Sequence, residues 1–219
     1  MATGAGRRVA IAVDRTARYH PRVTRAADET SLEDDSPHFV RTGHFEYESA
    51  DHGDTWLTLE LLFVDPQWLR RAAERLAERL GRFSAEVVCG PLPGGALVAQ
   101  PVAEMLGARF VYAERRARAA GAEYVIPPAA RAALAGTRVL IVDDVINAGS
   151  ATAACAREIR SARGELVGAA SLILRSGAEE AVTDRLGVPL ECLHSVRWNT
   201  WPASACPLCQ KGEPLSPQP

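Results

Sequence analysis

The feature that most restricts this chain is the run Val139-Leu140-Ile141-Val142-Asp143-Asp144-Val145-Ile146-Asn147-Ala148-Gly149-Ser150-Ala151-Thr152. Four consecutive apolar residues read as a strand buried on both faces, which is the habit of parallel sheets. Two acids and a small-residue turn follow, and then Ala153, Ala156, Ile159 and Ala162 recur at helical spacing. A buried strand that turns directly into a helix is half of a crossover unit, so the rest of the chain should alternate in the same way.

It does. Leu69, Ala72, Ala73, Leu76, Ala77 and Leu80 predict a helix that Gly81 stops. Glu86-Val87-Val88-Cys89 predicts a buried strand ending abruptly at Gly90-Pro91-Leu92-Pro93-Gly94-Gly95. A helix through Leu97, Val98, Val102, Met105 and Leu106 comes next, with Pro101 kinking it or near its first turn. Arg109 to Ala113 is a further strand, and Glu114 to Glu123 a polar, arginine-rich loop. Leu166 to Leu174 and Leu190 to Val196 are strands around a helix at Glu179 to Leu186. The expected fold class is therefore α/β, an open, mostly parallel, doubly wound sheet. Four segments follow: residues 1–38 as a flexible, acidic N-terminal tail with room for a short strand at Val9–Val13; 39–66 as short strands and turns; 67–197 as the core; and 198–219 as a Pro- and Cys-containing surface tail that Trp198 and Trp201 dock.

Composition narrows the function classes. With 47% hydrophobic and 24% charged residues the 219-residue chain is neither wholly disordered nor fibrous. No apolar stretch approaches the roughly 18 residues of a membrane span. A net charge of −2 gives no general pull toward nucleic acid, so any anion site must be built locally. The five cysteines are odd in number and mostly dispersed, which fits reduced thiols in the cytoplasm better than a disulfide framework.

Such a local site is in view. In open parallel sheets ligands sit beyond the carboxyl ends of strands, and a helix N-terminus there offers amides and a favourable dipole to an anion. Asn147, Ala148, Gly149, Ser150 and Ala151 are small enough for a phosphate to reach the main chain. Asp143 and Asp144 would repel phosphate but suit hydroxyl groups beside it, and can stabilise positive charge developing on a sugar carbon. The plainer alternative is a turn that merely caps the helix, with Ser150 as the cap.

The Val139–Thr152 run resembles the phosphoribosyl pyrophosphate motif of type I phosphoribosyltransferases. Upstream, Gly43-His44-Phe45, Ser49, His52, Asp54, Thr55 and the run Leu61 to Pro66 resemble the N-terminal hood of the orotate-specific members. The likeness covers most of residues 41 to 175. It implies that Asp143 and Asp144 face ribose hydroxyls, that Asn147 to Ala151 wrap the 5-phosphate, and that Gly90, Pro91, Leu92, Pro93 and Gly94 form the pyrophosphate loop. By position it makes Phe45 a candidate to lie against the base, with a buried core phenylalanine as the alternative. Glu114 to Gly121 falls where the family has its mobile catalytic loop, and there Arg115, Arg116 and Arg118 could neutralise pyrophosphate in catalysis, or form only a solvated face. Magnesium, phosphoribosyl pyrophosphate as co-substrate and a homodimer whose loop covers the partner's site complete the implication.

Three departures stand beside the likeness. Asn147 replaces the usual Thr or Ser, the pyrophosphate loop carries no lysine, and the arginine-rich loop lacks the family's lysine and histidine pattern. Transfer of ribose 5-phosphate to a nucleobase, orotate first, is thus the leading expectation. A purine or other-base enzyme and a non-catalytic sensor of phosphoribosyl pyrophosphate remain open. Finally, Cys206-Pro207-Leu208-Cys209 with Cys192 and His194 could supply a structural zinc if the tail folds back.

Overall fold

The computed structural model describes residues 39–47, 49–118 and 121–218, so the expected N-terminal tail and its Val9–Val13 strand lie outside the described residues. The main helix begins three residues earlier than its apolar spacing suggests. Asp65 accepts a hydrogen bond from the Gln67 amide at 2.9 Å and Pro66 occupies the first turn, a start signal with a clear mechanism. This helix, α2 (Pro66–Leu80), follows two hood strands, β1 (Val40–Glu46) and β2 (Asp51–Leu57), and a single turn, α1 (Leu61–Val64). Trp68, Ala72, Ala73, Leu76, Ala77 and Leu80 form its buried stripe.

Then come β3 (Val87–Pro91), α3 (Gly94–Leu106), β4 (Arg109–Arg118), β5 (Gly121–Val125), α4 (Pro128–Arg131), β6 (Arg138–Ile146), α5 (Ser150–Ser161), β7 (Glu165–Arg175), α6 (Glu179–Leu186) and β8 (Leu190–Val196). Six strands make one sheet in the order β5-β4-β3-β6-β7-β8, parallel except for the antiparallel β5 at the edge. The α/β, mostly parallel architecture expected from sequence is the one observed.

Strand β6 shows why both faces must be covered. Leu140 and Val142 enter a core with α2 and α3, whereas Val139 and Ile141 enter a second core with α5 and α6; all four have no exposed surface. Burying each such side chain contributes about 1.5–3 kcal/mol, so the four-residue run anchors both layers at once.

Two stretches differ from expectation. The arginine-rich segment is a β-hairpin rather than an irregular loop, with Glu114 opposite Val125, Arg115 opposite Tyr124 and Arg116 opposite Glu123. The C-terminal segment is part of the hood rather than a surface tail. Its strand β9 (Thr200–Pro202) pairs with β2, placing Trp201 opposite His52, and so completes a three-stranded sheet in the order β1-β2-β9. A last turn, α7 (Pro207–Gln210), follows. Asn199 clamps the junction, donating its amide to Asp54 Oδ1 at 2.9 Å and its Nδ2 to Asp54 Oδ2 at 2.6 Å. Trp198 is buried in the same core as α2 and α3, while Trp201 is half-buried. No helix among the described residues is long and apolar enough to cross a membrane.

Trp198→Ala should therefore lower the unfolding free energy by about 3–5 kcal/mol in denaturant titration. Leu215→Ala, at a position 47% exposed, should change it by less than about 0.5 kcal/mol.

Candidate active site

Strands β3 and β6 run side by side only as far as Cys89 opposite Ile141. Beyond that point β3 keeps its pairing with β4, through Gly90 opposite Tyr112 and Pro91 opposite Ala113, while β6 continues with β7 through Asp143 opposite Ser171 and Ile146 opposite Leu174. The two strands thus part company, and their helices α3 and α5 lie on opposite faces. This is the switch point of the sheet, where ligand crevices form. Asp143 and Asp144 are not past the end of their strand, as the sequence suggests, but within its second half and beside the opening.

The pyrophosphate-loop candidate packs directly on these acids. A Cβ built on Gly94 would overlap the Asp144 carboxylate, and one on Gly95 would come within 2.5 Å of Asp143 Oδ1. Only a residue without a side chain permits that approach. Asp143 is 5% exposed, accepts the Asp144 amide at 3.0 Å and takes a hydrogen bond from the buried Thr152 hydroxyl. Burial first, and then the charge and side-chain hydrogen bond of Asp144, push the Asp143 carboxyl well above the usual carboxylate range. Asp144 is half-buried and accepts the Val145 amide at 2.9 Å. Both acids and Pro91 to Gly95 line a cavity of about 660 Å³, closed on other sides by Phe63 and Tyr124. Burial and then the Asp143 charge raise the Tyr124 pKa, so its hydroxyl stays a donor at neutral pH.

The turn after β6 is open to an anion. Gly149 stands at φ +70° as the residue before α5, where a side chain would be strained and would press on Val182. Among the described residues no side chain caps this helix, and Ser150 is its first residue rather than its cap. The leading amides of α5 therefore face outward with the dipole unopposed. Asn147, Ala148 and Ser150 are exposed. Arg185 donates to the Ala148 carbonyl at 2.8 Å and Arg175 to Asn147 Oδ1 at 3.3 Å, which brings two guanidinium groups to the turn.

A second cavity, about 510 Å³, lies between this turn and the hood. Tyr47, Trp56, Trp198, Asn147, Ala148 and Arg175 are among its walls, and Val145 belongs to both cavities. Phe45, expected against the base, is not among the described residues lining either one. It is 1% exposed and packs on Trp56 with ring centroids 5.8 Å apart. The reason is a bulge in β1 between Thr42 and Phe45, which breaks the alternation and buries the neighbours His44 and Phe45 together. Tyr47 and Trp56 offer the accessible aromatic faces instead. Arg175 escapes the sequence reading because it closes an otherwise apolar strand; its place at the carboxyl end of β7, next to the acid-bearing strand, is the signal that could have found it.

Arg115 and Arg116 are exposed on the β4–β5 hairpin, and neither is among the described residues lining the two cavities. Arg116 pairs with Glu114 at 3.3 Å.

The expected metal set needs correction. Cys206 and Cys209 come together with His44 and His52, not with Cys192 and His194. The latter two lie on β8 beside Arg75 and Arg79 of α2, poor company for a dication. Burial pushes the Cys192 thiol up to about 11, and burial with the two arginines pushes His194 down to about 4. All five cysteines are free.

A doubly covered parallel sheet, with two helix N-termini flanking paired acids at its switch point, is the build of an enzyme that grips a sugar carrying phosphate at both ends. The phosphoribosyl transferase domain family matches residues 66–207, and the chain belongs to that family. It is 31% identical to orotate phosphoribosyltransferase of Caldanaerobacter subterraneus over 80% of this chain and 88% of the relative. Orotate phosphoribosyltransferase of Desulforamulus reducens is likewise 31% identical, over 79% of this chain and 86% of the relative. Among solved structures, orotate phosphoribosyltransferase from Aeropyrum pernix superposes with a TM-score of 0.60 at 25% identity, covering 72% of this chain and 88% of that one. Adenine phosphoribosyltransferase from Rhodothermus marinus gives 0.58 at 26% identity, covering 72% and 94%. The chain is an enzyme of the phosphoribosyltransferase type.

Two outcomes are expected from this geometry. Gly94→Ala must displace the Asp144 carboxylate and should weaken phosphoribosyl pyrophosphate binding at least tenfold, about 1.4 kcal/mol by calorimetry. Gly81→Ala, with nothing within 4 Å and ordinary helical backbone, should bind normally and gain about 0.5 kcal/mol of stability. The second outcome concerns pH. A carboxyl with a raised native pKa binds its proton more tightly folded than unfolded, so it costs stability as pH rises from about 4. Asp143→Asn should therefore be more stable than the parent, by a margin that widens with pH in denaturant titrations; a margin that narrows would refute the assignment.

Proposed function

We propose that this chain transfers ribose 5-phosphate from phosphoribosyl pyrophosphate to a ring nitrogen of orotate. The bond from the sugar C1 to pyrophosphate breaks with its electron pair leaving on oxygen, the C1–N bond forms, and the nitrogen gives up its proton. The observation that carries this reading is the cavity between hood and turn, where Arg175 stands among Tyr47, Trp56 and Trp198. Aromatic faces suit a flat ring, and a guanidinium matches a carboxylate bidentately, which favours an anionic base over a neutral purine. The relatives named for orotate point the same way.

On the sugar side, the α5 amides and Asn147 to Ala151 hold the 5-phosphate while Asp144 accepts from the ribose hydroxyls. The amides of Leu92 to Gly95 and the N-terminus of α3 receive the leaving group; they do so without a loop lysine, and the exposed Arg115 and Arg116 supply cations from a partner subunit's arm in a homodimer. Magnesium takes oxygen donors, and the half-buried Asp144 carboxylate at the cavity wall fits that preference. When bound, the ion would neutralise charge on the departing pyrophosphate. Positive charge developing at C1 is met by the Asp144 carboxylate, which the β6 ladder holds in place before the reaction so that it needs no reorganisation.

The test is a base panel with magnesium and phosphoribosyl pyrophosphate. Pyrophosphate release is expected with orotate, a KM for orotate raised at least tenfold in Arg175→Gln, and a kcat/KM lowered at least tenfold in Asp144→Asn, about 1.4 kcal/mol of transition-state energy. Turnover with adenine but not orotate would transfer the reading to a purine, as the similarity to an adenine-specific structure allows. Tight binding with no turnover on any base would make the chain a sensor.

A further inference from the structure

The hood holds a cluster that phosphoribosyl transfer does not use. His44 of β1, His52 of β2, and Cys206 and Cys209 at the end of the chain converge so that one ligand atom from each lies within 4.8 Å of every other. His44, His52 and Cys206 are buried, and Cys209 closes the cluster at the surface. The separations are informative. Cys206 Sγ and Cys209 Sγ lie 3.5 and 3.6 Å from His44 Nε2, and Cys209 Sγ lies 3.2 Å from His52 Nδ1. A tetrahedral zinc with bonds of about 2.0–2.1 Å to nitrogen and about 2.3 Å to sulfur holds such neighbours about 3.5 Å apart along its edges. The two imidazole nitrogens, at 2.9 Å, are slightly closer than those bonds imply.

Ring orientation points inward as well. His44 Nδ1 is 2.8 Å from the Glu213 carbonyl, an acceptor, so this nitrogen carries the proton and donates it. That leaves Nε2 as a lone pair aimed at the centre. A backbone carbonyl holding the far nitrogen of a ligating histidine is the usual arrangement behind a metal site. The main chain around His44 is fixed too: its amide donates to Ser216 Oγ at 3.2 Å and its carbonyl accepts from the Ser216 amide at 2.6 Å.

We propose that these four residues bind a structural zinc ion that fastens the end of the chain to the hood hairpin. Both thiols give up their protons on binding, and four protein ligands leave no open position for chemistry. The local folding has no other evident purpose for the pairing: the β1 bulge that turns His44 inward and the β9 pairing that brings Pro202 opposite Asp51 deliver the ligands from opposite ends of the sequence. Because β2 and β9 also wall the cavity that holds Arg175, through Thr55, Trp56 and Thr200, the ion sets the shape of that cavity without touching its contents. A Cys206–Cys209 disulfide is a weaker account, since it gives no role to two buried imidazoles directed at the sulfurs.

The experiment uses the full chain, untagged, expressed with zinc and dialysed before elemental analysis. About one zinc per chain is expected, falling at least tenfold in Cys206→Ser/Cys209→Ser and unchanged in Cys192→Ser. Should the double variant fail to fold, the native protein refolded with cobalt(II) in place of zinc decides: visible bands of a tetrahedral cobalt–thiolate centre support the site. Less than about one-tenth of an equivalent of zinc, no such bands, or a Cys206–Cys209 disulfide in the purified protein would overturn it.

Discussion

The contact on which the rest of the molecule depends is the one between Gly94–Gly95 and the carboxylates of Asp143 and Asp144. It exists because β3 and β6 are neighbours up to Cys89 and Ile141 and then diverge. The contact also explains the small residues on both sides. Gly94 and Gly95, having no side chains, are the residues that let the main chain lie this close to the two carboxylates.

This arrangement opposes stability. Asp143 is buried beside a like charge, which penalises its ionised form, and only the Asp144 amide and the Thr152 hydroxyl offset the cost. The surrounding sheet absorbs it. β6 is held on one side by β7 along most of its length and pressed between two apolar layers, so its main chain keeps both acids fixed at the crevice. The electrostatic cost and the position of the acids come from one constraint.

How far the sequence reveals all this depends on the range of the interactions. Local periodicity marks β6, α2, α5 and the parallel strands, because a doubly buried strand or an amphipathic helix writes its burial into consecutive residues. The turn at Asn147–Ala151 is visible for the same reason: its small residues and the helix after it are adjacent in the chain. Non-local pairing leaves no such record. Nothing near Thr200 announces that it will pair with Gly53, so the final segment looks like a tail when it is the third strand of the hood. A single-residue bulge decides for the core reading of Phe45, since one extra residue reverses the facing of everything beyond it. The arginine segment reads as a loop because its apolar content is low, yet cross-strand pairs such as Arg115 with Tyr124 make it a hairpin. The cysteine pair is legible as a metal-binding spacing, but its histidine partners lie more than 150 residues away and only the hood's register brings them in.

The hood and the sheet are held by different means. The paired acids and the turn after them belong to one continuous sheet whose geometry is set by apolar packing on both faces. The hood is a three-stranded sheet too small to bury a core of its own, and it leans on Trp198, on the Asp54–Asn199 clamp and on the His–Cys cluster to hold its shape. All three supports draw on the last part of the chain, through Trp198, Asn199 and the Cys206–Cys209 pair. The two parts are physically distinct: the β6 turn and the paired acids belong to the sheet, while the end of the chain closes upon the hood hairpin beside the cavity lined by Arg175. The chain is similar in fold to both orotate and adenine phosphoribosyltransferases.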